Sequence, residues 1–285
     1  MQQTAPDIWF PNLGIQINHI SNVAFSLFGL DIYWYGVLIV TGLLTGYAVA
    51  LHEAKRTGQD PNIYADLLLY AGGAGVLGTR IYYITFAPGL GIRDLFHFRD
   101  GGLAIYGAVI LAPVAAILYC RYKKLETFKV LDTAAPGLLM GQIIGRWGNF
   151  INREAFGGFT EGLFAMRYRY EDITQRMPES LLDQAIWVDG VKYLQVHPTF
   201  LYESMLNLVV FAGLQLYKRH KAFQGEILFS YLTAYGTIRA FLEPLRVDSL
   251  MVGQMRTSFV VSLLLIAIGL TGIVYGRMKL PKVNA

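Results

Sequence analysis

Apolar segments of about twenty residues, the length that crosses a bilayer as a helix, recur along this chain from Tyr33 to Tyr275. They read near Val23–Leu51, Asn62–Ile84, Gly101–Tyr119, Phe128–Gly148, Pro198–Tyr217, Glu226–Glu243 and Ser258–Tyr275, with the first starting late in its window. Of the 285 residues, 54% are hydrophobic and only 15% charged, where a soluble domain carries about 25%. The expected fold is therefore an all-α polytopic membrane protein of about seven transmembrane helices, with a small, partly β periplasmic cap.

The basic residues orient these segments. Lys55 and Arg56 follow the first, Arg121, Lys123, Lys124 and Lys129 the third, Lys218, Arg219 and Lys221 the fifth, and Arg277, Lys279 and Lys282 the seventh. Alternate short loops are basic, and such loops face the cytoplasm. The N-terminus is then expected outside and the C-terminus in the cytoplasm. Lys55 is the first basic residue, so a cleavable signal peptide is not expected. Cys120 is the single cysteine. It can form no internal disulfide and no zinc site, and beside Arg121 it reads as a helix-end residue. His19, His52, His97, His197 and His220 are scattered. No metal site, phosphate-binding loop or nucleic-acid partner is expected.

From about Asn152 to Val196 the chain stops being membrane-like. Ala165–Tyr170 alternates like a strand, and Ala185–Val188 and Val191–Val196 flank Asp189-Gly190, a hairpin turn. A cap of this size is too short for a large core of its own and must lean on the helices. The expected organisation is residues 1–148 as N-terminal arm and helices 1–4, residues 149–196 as periplasmic cap, and residues 197–285 as helices 5–7 with a cytoplasmic tail. Small residues four apart, Gly42 and Gly46, Ala71 and Gly75, and Gly137, Gly141 and Gly145, let membrane helices approach closely.

Chemistry concentrates in five clusters. One is Gly145-Arg146-Trp147-Gly148-Asn149-Phe150-Ile151-Asn152-Arg153-Glu154-Ala155-Phe156-Gly157-Gly158, closing an apolar run. An arginine at such depth costs roughly 2.5–3.5 kcal/mol on insertion scales and usually marks function; the alternative is that it snorkels to the head groups. The others are His197 to Glu203, Tyr231 to Glu243, Asp100 to Gly107, and Tyr33 to Gly36. Tyr235, Arg239 and Glu243 are spaced four apart and share a helix face. By the expected topology Arg146, Glu203, Glu243, Tyr106 and Arg80 all lie in the outer half of the bilayer. That suggests one shared cavity, against a set of structural ion pairs. The arginine fork suits phosphate, so a phospholipid head group is the expected occupant.

The first cluster resembles the signature of prolipoprotein diacylglyceryl transferases: Gly-Arg-x-Gly/Ala-Asn-Phe, an aliphatic residue, then Asn-x-Glu-x-x-Gly. Gly145, Arg146, Gly148, Asn149, Phe150, Ile151, Asn152, Glu154 and Gly157 fit it. The other four clusters resemble the family in its order, apart from the cap and both tails. The resemblance implies a bacterial inner-membrane enzyme that needs no cofactor. It would move the diacylglyceryl group of phosphatidylglycerol onto the lipobox cysteine of a prolipoprotein signal peptide and release glycerol 1-phosphate.

It further implies that Arg146 and Arg239 hold the phosphate, Asn149 and Asn152 orient the head group, and Glu154, Gly157, Tyr35, Arg80, Tyr202, Glu203 and Tyr235 line the site. Where many members carry histidine, this chain has Tyr106, a poor base at neutral pH with an ordinary pKa of about 10. Either an arginine lowers it, or the base is Glu243 or Glu203. The expected reaction is direct displacement by the cysteine thiolate. A transporter or flippase for an anionic lipid or solute is the alternative of another class; internal repeats would favour it, and none is visible.

Overall fold

The computed structural model describes residues 5–87, 89–96, 102, 104–173, 175, 177–249, 251–252 and 255–279. The chain forms two compact units: Met1–Gly46 with Ala135–Ala285, and Tyr47–Ala134. In chain order come strands β1 (Ile8–Phe10), β2 (Ile15–Ile17), β3 (Val23–Leu27) and β4 (Leu30–Tyr33), then helices α1 (Trp34–Arg56), α2 (Asn62–Phe86), α3 (Ile105–Tyr122) and α4 (Thr127–Asn152). After them come β5 (Met166–Arg169), the short α5 (Glu179–Leu182), β6 (Ile186–Val188), β7 (Val191–Val196), α6 (Thr199–Tyr217), α7 (Glu226–Leu242), β8 (Met251–Val252), β9 (Met255–Arg256) and α8 (Thr257–Met278).

Among the described residues, four helices are long and apolar enough by length and composition to cross a membrane: α1, α3, α6 and α8. Helices α2, α4 and α7 are also long, at 25, 26 and 17 residues. Each carries an arginine within its length: Arg80 on α2, Arg146 on α4, Arg239 on α7. The same residues that lower their hydropathy are the ones of interest.

In the first unit, α1 and α4 cross antiparallel on the small residues. A Cβ on Gly42 would lie 3.1 Å from the Gly141 carbonyl oxygen, and one on Gly46 would collide with the Gly137 carbonyl. The backbones meet only because no side chain intervenes. Further along, Ala135 and Leu139 of α4 pack with Leu214 of α6 and Ile227 and Tyr231 of α7. Helix α8 closes on α7 through another small residue: a Cβ on Gly236 would meet the Ser262 carbonyl at 2.8 Å.

Five strands form one antiparallel sheet in the order β2-β1-β5-β7-β6. Its inner face buries Ile8, Phe10, Met166, Tyr168, Leu194 and Val196 against Phe150 near the end of α4 and Phe200 at the start of α6. The insert does lean on the helices. The hairpin at Asp189-Gly190 forms, both residues with positive φ, 49° and 78°. The N-terminal arm, read from the sequence as separate from the insert, supplies β1 and β2 to the same sheet, with Ile8 paired to Tyr168. Pairing between strands so distant in sequence leaves no local trace.

One helix starts late in its window, as the sequence reading has it, and another differs from that reading. Val23–Tyr33 is a β-hairpin with Phe28 and Gly29 at its turn, φ 50° and 76°, and α1 begins only at Trp34. The window is apolar through both the hairpin and the start of α1, and the two-residue turn at Phe28-Gly29 is what folds its first part back. Helix α3 begins at Ile105 rather than Gly101; Asp100, Gly101 and Leu103 lie outside the described residues, as does the tail beyond Lys279. Helix α4 runs on to Asn152, so the first residues assigned to the cap are helical.

The second unit packs α2 on α3, with backbone contact at Gly78 and Gly107. Its core includes Ala54, Tyr64, Leu67, Tyr119 and Cys120. Cys120 is fully buried near the end of α3, as a helix-end residue in a core.

Candidate active site

Helix α4 approaches its end with Arg146, α6 opens with Glu203 in its second turn, and α7 ends with Arg239, followed at the i+4 position by Glu243. Three helices thus bring charge to one level of the first unit. Arg146 Nη2 is 2.7 Å from Glu203 Oε1, Arg239 Nη1 donates to Glu203 Oε2 at 2.9 Å, and Arg239 Nη2 donates to Glu243 Oε2 at 2.9 Å. The result is an unbroken row of guanidinium, carboxylate, guanidinium and carboxylate. Both glutamates are 1% exposed. Taking four charges out of water is tolerable only because each faces an opposite one; removing one partner of such a buried pair typically costs about 3–5 kcal/mol. Arg239 in the last turn of α7 also complements the helix dipole.

Beside this row stands an amide arm. Asn149, one turn after Arg146, accepts from Arg146 Nη1 at the limit of hydrogen bonding, 3.5 Å, and its Nδ2 donates to Glu154 Oε1 at 3.0 Å. Asn152 Nδ2 reaches the same oxygen at 3.4 Å. Glu154 is held there by an unusual backbone: its neighbours Arg153 and Ala155 both have left-handed φ, 54° and 55°, a region non-glycine residues occupy at a cost. Surrounding contacts fix it. Arg153 donates to Asn22 Oδ1 and to the Ile20 carbonyl at 3.1 and 3.0 Å, and faces Asp7 and Asp172. Thr199 donates to the Ala155 carbonyl. Gly157 fits where no side chain can: a Cβ would stand 2.7 Å from His197 Cβ and 2.8 Å from the Leu245 carbonyl.

Aromatic residues stand beside the row. The Tyr35 ring lies on Gly148, where a Cβ would come within 2.7 Å of it, and it sits in the field of Glu154 and Arg146. Tyr235 lies close enough to Arg146 and Arg239 to feel both and stacks on Tyr231 with ring centres 5.9 Å apart. Tyr202 faces elsewhere, toward His197 Nδ1 at 3.4 Å and the edge of Phe164. His197 lies before α6 begins; burial pushes its imidazole below the ordinary value.

Several participants escaped sequence reading. Gln142, one turn before Arg146, donates to the Tyr231 hydroxyl at 2.9 Å. Arg256 donates to the Glu243 carbonyl and, at 3.3 Å, to that of Arg246. Asn207, one turn after Glu203, is fully buried with neither side-chain amide atom partnered. The i, i+4 spacing from Arg146, Glu203 and Tyr235 was the available signal for Gln142, Asn207 and Tyr231.

Arg80 and Tyr106 belong to the second unit. Arg80 is 3% exposed; its Nε and Nη2 donate to the Asp94 carbonyl at 3.0 and 2.8 Å, and its Nη1 to that of Gly102 at 3.1 Å. It ties Asp94 and Gly102 to α2. The Tyr106 ring, at the start of α3, lies 6.0 Å from that of Tyr82.

The sequence model of the prolipoprotein diacylglyceryl transferase family matches residues 22–275. A phosphatidylglycerol--prolipoprotein diacylglyceryl transferase of Finegoldia magna is 41% identical over 256 residues, covering 88% of this chain and 93% of that protein. The protein of the same name from Clostridioides difficile is 39% identical over 268 residues, covering 93% and 97%. That of Listeria welshimeri is 37% identical over 276 residues, covering 94% of each.

Proposed function

Because this chain belongs to the prolipoprotein diacylglyceryl transferase family, we propose that its row of Arg146, Glu203, Arg239 and Glu243 is the site where phosphatidylglycerol gives up its diacylglyceryl group. The chain is a transferase of lipoprotein biosynthesis: it moves that group from phosphatidylglycerol to prolipoproteins. The transporter alternative has no counterpart among the relatives described, each named as a transferase.

Seven helices, α1 to α4 and α6 to α8, cross the bacterial inner membrane, with the N-terminus and the five-stranded sheet outside and the C-terminus in the cytoplasm. The alternating basic loops support this orientation. Arg146 and Arg239 receive the phosphate, whose oxygens can accept paired charge-assisted hydrogen bonds from the guanidinium forks. Asn149 and Asn152, aimed by Glu154, orient the glycerol head; Tyr35, Tyr235 and Gly157 shape the space beside them. Tyr202 lies on the side nearest His197.

The lipobox cysteine sulfur attacks the glycerol carbon that bears the phosphate. The carbon–oxygen bond breaks, its electron pair goes to the phosphate, and glycerol 1-phosphate departs. Negative charge grows on the leaving phosphate, and preorganised donors aimed at growing charge in a water-poor site are worth about 3–4 kcal/mol each. The observation that carries this reading is the pair of arginines from α4 and α7 held by one buried carboxylate, Glu203. The deciding experiment is purified protein with phosphatidylglycerol and a lipobox peptide. Thioether product and released glycerol phosphate in equal amounts are expected; neither appearing would end the reading.

A further inference from the structure

The charges of the row fix how it must handle a proton. Two guanidinium groups and two carboxylates leave it neutral. A phosphodiester adds one negative charge, and breaking its carbon–oxygen bond adds a second to the leaving phosphate. A buried site cannot hold two uncompensated negative charges at low cost. The proton this reaction releases is that of the cysteine thiol, and a carboxylate of the row that takes it up spares the site from holding both charges at once.

The two carboxylates are not equivalent. Glu203 faces a guanidinium with each oxygen, Arg146 with Oε1 and Arg239 with Oε2. Neither Oε1 accepts a hydrogen bond and both are buried, but Glu203 Oε1 stands 2.7 Å from Arg146 Nη2 whereas Glu243 is ion-paired through Oε2 alone. An unpartnered buried carboxylate oxygen is expensive, and an arriving proton is one way to relieve it. Glu243 also has less to lose. When phosphate takes the Arg239 fork, Glu243 gives up one charged hydrogen bond, where Glu203 would give up two cations. The charged groups around Glu243 are Arg239 from α7, Glu203 from α6 on the far side of Arg239, Arg146 beyond it from α4, and Arg256 of β9 on the Glu243 backbone carbonyl; Arg246 reaches that carbonyl with its backbone N–H while its guanidinium pairs with Asp248.

Resting on the transfer reading above, we propose that Glu243 is the proton acceptor for the lipobox thiol, and that phosphatidylglycerol itself arms it by drawing Arg239 away. The S–H bond breaks and its proton passes to Oε1. The sulfur forms the S–C bond as the C–O bond breaks toward phosphate. Glu243 then hands its proton to the departing phosphate, so glycerol phosphate leaves as a monoanion and the row returns to its resting charge. Phosphatidylglycerol has to bind before the peptide is activated.

The test compares wild type, Glu243→Gln, Glu243→Asp and Glu203→Gln with two lipobox peptides, one carrying cysteine and one selenocysteine, whose selenol ionises without a base. With cysteine at neutral pH, Glu243→Gln is expected to fall at least about a hundredfold. Its rate should then climb about tenfold per pH unit toward the thiol pKa near 8.5, and the selenocysteine peptide should restore most of it. The KM for phosphatidylglycerol should stay within about twofold, and Glu243→Asp, which keeps a carboxylate, should show no preference for selenium. An equal loss with both peptides and a flat pH profile in Glu243→Gln would overturn the assignment, as would selenium rescue confined to Glu203→Gln. Wild type forming no thioether with either peptide would instead overturn the transfer reading.

Discussion

The Arg146 guanidinium stands 2.7 Å from a carboxylate oxygen of Glu203 and ties the end of α4 to the beginning of α6. Arg239 takes the other oxygen of the same carboxylate. One buried anion therefore sets the spacing of two cations from different helices, and that spacing is what a phosphate would meet.

Arg146→Lys keeps the charge but loses the planar fork and the reach to Asn149. Turnover of phosphatidylglycerol with a lipobox peptide is expected to drop by about a hundredfold or more, the scale of losing one preorganised donor. The variant should still insert and elute as wild type. Near-normal turnover would make Arg146 a structural or snorkelling residue.

Tyr106 distinguishes this chain from histidine-bearing relatives of the resemblance. Its expected part is a hydrogen bond to the substrate. Tyr106→Phe should then lose much of the rate with little change in thermal stability, and Tyr106→His should retain more, because imidazole can donate or accept. A reversed order, Phe above His, would mean that the ring only packs, as against Tyr82.

Burial depresses the His197 imidazole below the ordinary value near 6.5. The folded chain therefore binds this proton less readily than the unfolded chain. Its contribution to stability is complete above about pH 6.5, where both states are neutral, and is lost as pH falls through the folded value. The melting temperature in detergent should fall between pH 7 and pH 5 more steeply for wild type than for His197→Gln. Parallel profiles would show that the histidine carries no linkage.

A reporter active only outside the cytoplasm should be active when inserted at the exposed Asp189-Gly190 turn and inactive when fused after the last residue. The alternating basic loops require this pattern. The opposite result would place the sheet in the cytoplasm and the arginines at the wrong leaflet for an exported prolipoprotein.

What the sequence determined by itself was everything governed by short range. Long apolar runs favour helices, which satisfy their own backbone hydrogen bonds; each of the seven runs contains a long helix, and among the described residues four of these are long and apolar enough to cross a membrane. Four-residue spacing put Arg239 and Glu243 in reach of one another and marked Gly42, Gly46, Gly137 and Gly141 as contact points. Asp189-Gly190 announced its hairpin. Periodicity could not separate the Val23–Tyr33 hairpin from the start of α1, because both are apolar there.

The tertiary structure alone decided the pairings between distant segments. Nothing local tells β1 to join β5, or Arg153 to reach back to Asn22 and Ile20 and so hold Glu154 toward Asn149. The difference between the two glutamates is of the same kind. In the sequence Glu203 and Glu243 are two carboxylates near helix ends. Only the register between α4, α6 and α7 gives one of them two cations and leaves the other with a free oxygen, because side-chain pairing across helices depends on how backbones pack, not on spacing along any one of them.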